Sequence, residues 1–164
     1  MELRLASGEK VFHRFGEQRH IHNISHVLLA KALSTIRSNG EKFISTEVNF
    51  GRVIGKTNKV ETGPDDEVIY AKRFGRRGHT RFVKNRKPEP CKTMAIVLAR
   101  RPHRTSYTII TAFIGHLGGG EPWDKHASSS SRAHWECHAL VWGCEPTVPG
   151  TETTECPWDQ EITG

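Results

Sequence analysis

Long apolar runs are absent from this sequence of 164 residues. No stretch approaches the roughly 18 apolar residues of a membrane-spanning helix. The N-terminus, MELRLASGEKVFHRF, alternates charged and apolar residues and lacks the uninterrupted apolar centre of a signal peptide. We therefore expect a cytoplasmic protein without a membrane partner, although a toxin exported as part of a larger protein would look the same.

Closely paired cysteines are also absent. None of the four cysteines shows the CxxC spacing that is typical of structural zinc sites: Cys91, Cys137, Cys144 and Cys156. The segment HWECHALVWGC does place His134 and His138 four residues apart, with Cys137 and Cys144 nearby. A zinc-stabilised interaction domain therefore stays an alternative, whereas free thiols, no metal and no cofactor are the expectation.

Acidic residues are missing from the segment Val68–Lys87, VIYAKRFGRRGHTRFVKNRK, which contains eight Lys or Arg residues. Residues 72–104 hold twelve Lys or Arg and one acid, Glu89, for a local net charge of +11. The remaining residues hold 12 bases and 17 acids, for a net charge of −5. Such segregation is typical of proteins that bind a polyanion.

The hydrophobic pattern predicts an α+β domain, with an N-terminal helix packed on a mostly antiparallel sheet of four to five strands and a C-terminal helix/loop extension. The helix is predicted over Ile21–Arg37, before the stop signal Asn39-Gly40. Strands are predicted at residues 43–50, 66–74, 80–85, 93–101 and 106–115. We expect one domain over residues 1–143, with a basic sheet over 66–115, and a peripheral acidic Pro/Thr-rich tail over 144–164.

Alternation along the last strand predicts which of its side chains face the helix. The more uniformly aliphatic set is assigned to the core: Thr108, Ile110, Ala112 and Ile114. Tyr107, Thr111 and Phe113 are then left for an open, partly aromatic face.

A sheet face that carries aromatic rings among cations is suited to single-stranded nucleic acid, because phosphates meet the cations and bases lie on the rings. The alternative is a basic surface without a function, with Phe74 and Phe82 in the core. The candidate RNA-binding residues are Lys72, Arg73, Arg76, Arg77, Arg81, Lys84 and Arg86.

Histidines are numerous, with ten in the chain. His22 and His26 lie one turn apart on the predicted helix, at the edge of its apolar face. Metal-independent RNA cleavage needs a general base and a general acid, and partly buried histidines suit both roles. We take His26 as the first candidate and expect His13 and His20 in loops. The alternative is that one histidine caps the helix and the other is a structural boundary residue.

Three segments carry a family resemblance: HIHNISH (20–26), TMAIVLARR (93–101) and YTIITAF (107–113). In this order they resemble the bacterial EndoU, colicin and RelE-like (BECR) superfamily of RNase toxins, especially the toxin tips of contact-dependent inhibition proteins. The resemblance covers roughly residues 18–115, and Glu121–Gly143 has no counterpart. It implies metal-independent cleavage of RNA, often tRNA, with His26, Thr111 and Tyr107 in the site, and an inhibitor (immunity) protein as a partner.

The leading prediction is therefore an RNA-cleaving enzyme of the bacterial toxin type that acts on single-stranded RNA or tRNA. The second hypothesis is a non-catalytic RNA- or DNA-binding module that uses the same sheet. The third is the zinc-stabilised domain, and the fourth is an enzyme whose cations bind a nucleotide or another phosphate substrate.

Overall fold

The computed structural model describes residues 2–13 and 24–163, and the chain forms two compact units. Unit 1 comprises Met1–Lys56 and Pro90–Leu117, and unit 2 comprises Thr57–Glu89 and Gly118–Gly164. In chain order the described elements are β1 (Leu3–Arg4), β2 (Lys10–His13), α1 (His26–Leu33), β3 (Phe43–Asn49), β4 (Gly55–Thr57), β5 (Lys59–Glu61), β6 (Val68–Lys72), β7 (His79–Val83), β8 (Glu89–Cys91), β9 (Thr93–Arg100), β10 (Tyr107–Ile114), α2 (Ser131–Glu136), β11 (His138–Val141) and α3 (Trp158–Thr163). None of the helices in these ranges has the length and apolarity that a membrane crossing requires.

Unit 1 is built on one sheet of five strands, in the order β1-β2-β10-β9-β3. Neighbouring strands are antiparallel except β2 and β10, which run parallel with Val11 opposite Tyr107. The helix α1 packs on one face of this sheet, since its buried residues Leu29 and Leu33 share an apolar core with Leu98 of β9. The predicted α+β class, with an N-terminal helix against a mostly antiparallel sheet, is confirmed.

The helix α1 is shorter than the predicted helix over residues 21–37, of which the first three residues lie outside the described part. It ends at Leu33, because the hydroxyls of Ser34 and Thr35 donate to carbonyl oxygens three residues earlier, at 2.6 and 2.7 Å. Such local bonds compete with the continuation of a helix. At the other end, Ile24 and Ser25 are not helical, so the exposed His26 is the first residue of α1.

The strand β10 contains a bulge, where the register with β9 shifts between Ile109 and Thr111. Tyr107 and Ile109 are fully buried before the bulge, and Ala112 is the fully buried residue after it. The predicted core face, which left Tyr107 open, is therefore wrong for the first half of the strand. Alternation fails here because an inserted residue moves every later side chain to the opposite face.

Unit 2 has its own sheet of four strands, in the order β5-β11-β7-β6. The strand β11 runs parallel to β7, and the other pairs are antiparallel. The prediction of one basic sheet over residues 66–115 is thus wrong, since β6 and β7 belong to unit 2 and β9 and β10 to unit 1. The chain passes between the units at β4 and β8, which pair as a two-stranded sheet that is too short to be read from sequence.

The acidic tail packs on unit 2. Trp158 of α3 is fully buried, and its ring meets the ring of Tyr70 edge-on at 5.4 Å between centroids. Thr153 and Tyr70 exchange two backbone hydrogen bonds of 2.8 Å. The tail therefore belongs to unit 2, contrary to the predicted boundary at residue 143, because one buried tryptophan supplies enough apolar surface to anchor it.

Candidate active site in unit 1

Two imidazole rings meet at the end of β2. The ring of His13, the last residue of β2, lies 5.8 Å from the ring of His26, the first residue of α1, measured between centroids. His13 shares the helix-facing side of β2 with the buried Val11, because side chains alternate along a strand. His13 is half-buried and His26 is exposed. The pair is therefore within reach of a ligand.

A cavity of about 200 Å³ opens beside the two rings. It is lined by Glu2, Leu3, Lys10, Val11, Phe12, His13 and His26. The ammonium of Lys10 lies 3.3 Å from the carboxylate of Glu2, and both side chains are about half exposed. Because an exposed ion pair contributes little free energy, Lys10 can exchange this partner for the phosphate of a ligand.

His13 is held in its neutral form. Burial, and secondly the charge of His26, lower the pKa of His13 below its ordinary value. Its Nδ1 atom is buried and has no hydrogen-bond partner among the described residues. With Nδ1 enclosed, a ligand can reach Nε2, which is able to take a proton in the neutral tautomer that carries its hydrogen on Nδ1. His13 is thus suited to accept a proton at neutral pH.

Cations lie over exposed aromatic rings on the other face of the same sheet. Phe12 is 41% exposed, and the guanidinium carbon of Arg101 lies 4.8 Å from its ring centroid. Phe43 is 59% exposed, and the ammonium of Lys42 lies 5.9 Å from its centroid. Within residues 2–13 and 24–163, neither cation forms an ion pair with an acid. Their charges are available to an anion.

The predicted catalytic residues are not brought together. The hydroxyl of Tyr107 is 2.6 Å from that of Ser38 and donates to the carbonyl oxygen of Glu41 at 2.7 Å, so this buried side chain holds a loop. Thr111 is half-buried on the sheet face opposite α1, where it pairs with Val97. His22 lies outside the described residues. Of the predicted catalytic residues within the described ranges, His26 alone is part of this cavity.

Arg73, one of the predicted RNA-binding residues, is enclosed by acids within unit 2. Its guanidinium lies 2.5 Å from Glu121 and 2.6 Å from Glu145, and it also donates to the hydroxyl of Thr80 at 2.9 Å. Its side chain is 15% exposed. Burial acts against the charged form, but the two carboxylates outweigh it and raise the pKa of Arg73. The charge of Arg73 is therefore already neutralised inside unit 2.

The other predicted RNA-binding cations of unit 2 are mostly engaged as well. Three have internal partners: Arg77 bonds the backbone oxygens of Trp123 and Glu161, Arg81 bonds Thr62 and the carbonyl oxygen of His138, and Arg86 pairs with Asp66 and Glu89. Lys84 lies over the ring of Trp142 at 5.4 Å, Lys72 is half-buried and Arg76 is exposed. Contacts of these residues with RNA stay a prediction, and most of this charge stabilises unit 2.

The second histidine pair, His134 and His138 of unit 2, has its two rings packed against each other. Their rings stack at 4.0 Å between centroids, and Nδ1 of His138 lies 2.8 Å from the carbonyl oxygen of His134. Burial raises the pKa of the Cys144 thiol to about 11. In the described part of the chain, no three His, Cys, Asp or Glu side chains group as metal ligands would. The zinc alternative therefore has no ligand set there.

His13 is the site residue that the sequence analysis missed, since it was expected in a loop. A signal exists in KVFH, residues 10–13, where exposed and buried side chains alternate. Four residues are too few to predict a strand, however. The parallel pairing of Val11 with Tyr107 is what carries His13 to the start of α1, and such a distant register cannot be read from a single sequence.

No protein-family model, no curated protein and no solved structure matches this chain. The resemblance to bacterial RNase toxins therefore stays a prediction, and the function is inferred from the geometry of the site.

Proposed function

We propose that unit 1 is a metal-independent endoribonuclease whose catalytic residues are His13 and His26. The observation that carries the proposal is the pair of imidazoles, 5.8 Å apart, beside a cavity that Lys10 also lines. Cleavage of RNA by its own 2′-hydroxyl needs a base, an acid and a cation near the phosphate. These three residues supply one of each.

His13 is the general base in this proposal and His26 the general acid. His13, in the tautomer that carries its hydrogen on the buried Nδ1, takes the proton of the 2′-hydroxyl through Nε2 while the 2′-oxygen forms a bond to phosphorus. The bond from phosphorus to the 5′-oxygen breaks, and this oxygen takes a proton from His26. Lys10 stabilises the charge on the phosphoryl oxygens. The products are a 2′,3′-cyclic phosphate and a 5′-hydroxyl end.

Cleavage of end-labelled single-stranded RNA in the presence of a chelator tests the proposal. We expect discrete fragments that end in 2′,3′-cyclic phosphate. His13→Gln and His26→Gln should each slow cleavage by roughly 10²–10⁴-fold, the usual contribution of a general acid or base. His116→Gln is the matched control, since His116 is an exposed histidine of unit 1 whose Nδ1 is bound to Glu47 at 2.8 Å, outside the cavity. Equal rates for all three variants would contradict the proposal.

The pH dependence of cleavage gives a second readout. A base must be neutral, so the rate falls as the pH drops through the pKa of His13. Because burial and His26 lower this pKa, we expect the acid limb of kcat/KM below pH 6.5, the ordinary value for histidine. In an NMR titration, His26→Gln should move the pKa of His13 upwards. An acid limb clearly above pH 6.5 would exclude His13 as the base.

A nucleic-acid-binding module without cleavage is the second candidate function, favoured by the exposed rings of Phe12 and Phe43 beneath cations. The two candidates separate in the same experiment, since a binder leaves the RNA intact while retaining it. The expected cytoplasmic location, the tRNA substrate and an inhibitor protein as partner belong to the nuclease proposal, because a cell that contains such an enzyme must restrain it.

A further inference from the structure

Four residues form one row across the sheet of unit 1, on the face opposite α1. Phe12 lies opposite Thr108, Thr108 lies opposite Ala99, and Ala99 lies opposite Phe43. Side chains of directly opposed residues point to the same face. The row therefore has an exposed phenylalanine at each end and two small, half-buried side chains between them. Three spacings between neighbouring strands separate the two ends of the row, which therefore lie about 14 Å apart.

Each end of this row combines a ring with a positive charge. Arg101 covers Phe12 and Lys42 covers Phe43. A large apolar ring is normally buried, and an exposed one beneath a cation offers a flat surface for another π system as well as a partner for a phosphate. The repetition of the same combination at both ends distinguishes this row from a single exposed side chain.

The turn between β9 and β10 begins shortly after Ala99 and ends shortly before Thr108. It therefore lies directly beyond the middle of the row. A space of about 700 Å³ at this turn is lined by Arg100, His103, Arg104, Thr105 and Ser106. Arg104 is exposed on the turn, and none of these described lining residues is an acid. The turn is thus an electropositive rim along one side of the row.

We infer that this row binds an unpaired RNA strand, with one base on Phe12, another on Phe43 and the phosphates along the β9–β10 turn. The inference rests on the proposed nuclease function and names its substrate class. Phe12 also lines the cavity of His13 and His26, so a strand on the row reaches the cleavage site by passing beside Phe12 to the α1 face of β2. A duplex is rejected because its bases are stacked inside and cannot reach the rings. Base stacking tolerates any sequence, since every base has a π face.

The probe is a fluorescent single-stranded oligoribonucleotide with 2′-O-methyl groups, which can bind but lacks the 2′-hydroxyl needed for cleavage. Its affinity for the full chain is measured by anisotropy, alone and after annealing to its complement. We expect the single strand to bind at least about tenfold more tightly than the duplex. Phe12→Leu and Phe43→Leu should each weaken single-strand binding by about tenfold, because one base stack contributes roughly 1–3 kcal/mol.

Phe74→Leu is the matched control, because Phe74 is 63% exposed and lies in the basic segment of unit 2. It should bind RNA like the wild type. Arg104→Gln should lower the slope of log affinity against log salt by about 0.7, the value for one phosphate of a single strand, and leave the preference for single strands unchanged.

The inference is overturned if Phe12→Leu and Phe43→Leu bind like the wild type, if Phe74→Leu weakens binding as much as they do, or if duplex and single strand bind equally. Loss of self-association in Phe12→Leu without any RNA binding would likewise overturn it in favour of a contact between copies. The proposed catalysis is tested separately with cleavable RNA, on which His13→Gln should slow cleavage. Failure of cleavage with intact Phe12-dependent binding would reject the nuclease but not the row.

Discussion

Arg73 and Arg101 both belong to the basic stretch 72–104, but their surroundings differ. In unit 2, Arg73 lies between two carboxylates, Glu121 and Glu145, and little of it is exposed. In unit 1, Arg101 lies over the exposed ring of Phe12 and has no acidic partner in the described part of the chain. A cation between two acids stabilises its own unit, whereas a cation over an exposed ring keeps its charge for a ligand. The partners of a charge, more than its density along the sequence, locate a binding surface.

The two histidine pairs show the same contrast. His134 and His138 are stacked face to face in unit 2, with the second ring bonded to a backbone carbonyl oxygen. His13 and His26 are tilted by 31° beside an open cavity in unit 1. Rings that are stacked on each other cannot both reach a substrate, while rings that border a cavity can. Chemistry is therefore expected in unit 1, although the i, i+4 spacing of the pair in unit 2 is equally visible in the sequence.

Of the substitutions that compare arginines paired with acids and arginines without an acidic partner, Arg73→Gln is expected to lower the free energy of unfolding most. In Arg73→Gln the buried carboxylate of Glu121 loses its cation, and breaking a buried pair costs about 3–5 kcal/mol. All four tryptophans lie in unit 2: Trp123, Trp135, Trp142 and Trp158. Urea unfolding followed by tryptophan fluorescence therefore reports on unit 2, and its midpoint should fall markedly in this variant.

Two matched substitutions sharpen this comparison. Arg76→Gln removes an exposed cation from unit 2 and Arg101→Gln removes a half-buried one from unit 1, and each should change the free energy of unfolding by no more than about 0.5 kcal/mol. Unfolding of the Arg101 variant is followed by far-UV circular dichroism, because unit 1 contains no tryptophan. If Arg73→Gln unfolded at the same urea concentration as Arg76→Gln, the structural role assigned to the basic segment of unit 2 would be wrong.

The free energy of unfolding of unit 2 is expected to depend on pH, and this effect should be smaller than that of Arg73→Gln. Burial, then Lys59 and His138, lower the pKa of His134 to about 4. Between pH 6.5 and pH 4 the unfolded state then binds more protons than the folded state, so the free energy of unfolding falls as the pH is lowered through this window. The variant His134→Gln cannot be protonated and should lose part of this dependence in urea unfolding at pH 7 and pH 5. Identical pH dependence in both proteins would show that His134 titrates normally.

The regular elements could be predicted where the sequence carries strong strand signals. FISTEVN, TMAIVLAR and YTIITAFI form β3, β9 and β10 within one or two residues of the predicted bounds. The face of β10 could not be predicted, because the bulge after Ile109 depends on the pairing with β9. The assignment of β6 and β9 to different sheets could likewise not be predicted, because it depends on contacts between residues that are distant in sequence.

One of the two proposed catalytic histidines could be predicted from the sequence. His26 was identified from its place on an amphipathic helix, whereas His13 lies on a strand of only four residues. The burial of Arg73 also left no local signal, because its partners Glu121 and Glu145 are far away in sequence. Residue types that suit a reaction can be read from a sequence, but their partners require the fold.

Photo-crosslinking most directly tests the claim that RNA contacts unit 1 and not the basic segment of unit 2. A single-stranded RNA that contains 4-thiouridine is irradiated with the full chain, and the modified peptides are identified by mass spectrometry. We predict adducts on the peptides that contain Phe12 and Phe43. Adducts confined to residues 68–87 would contradict the account.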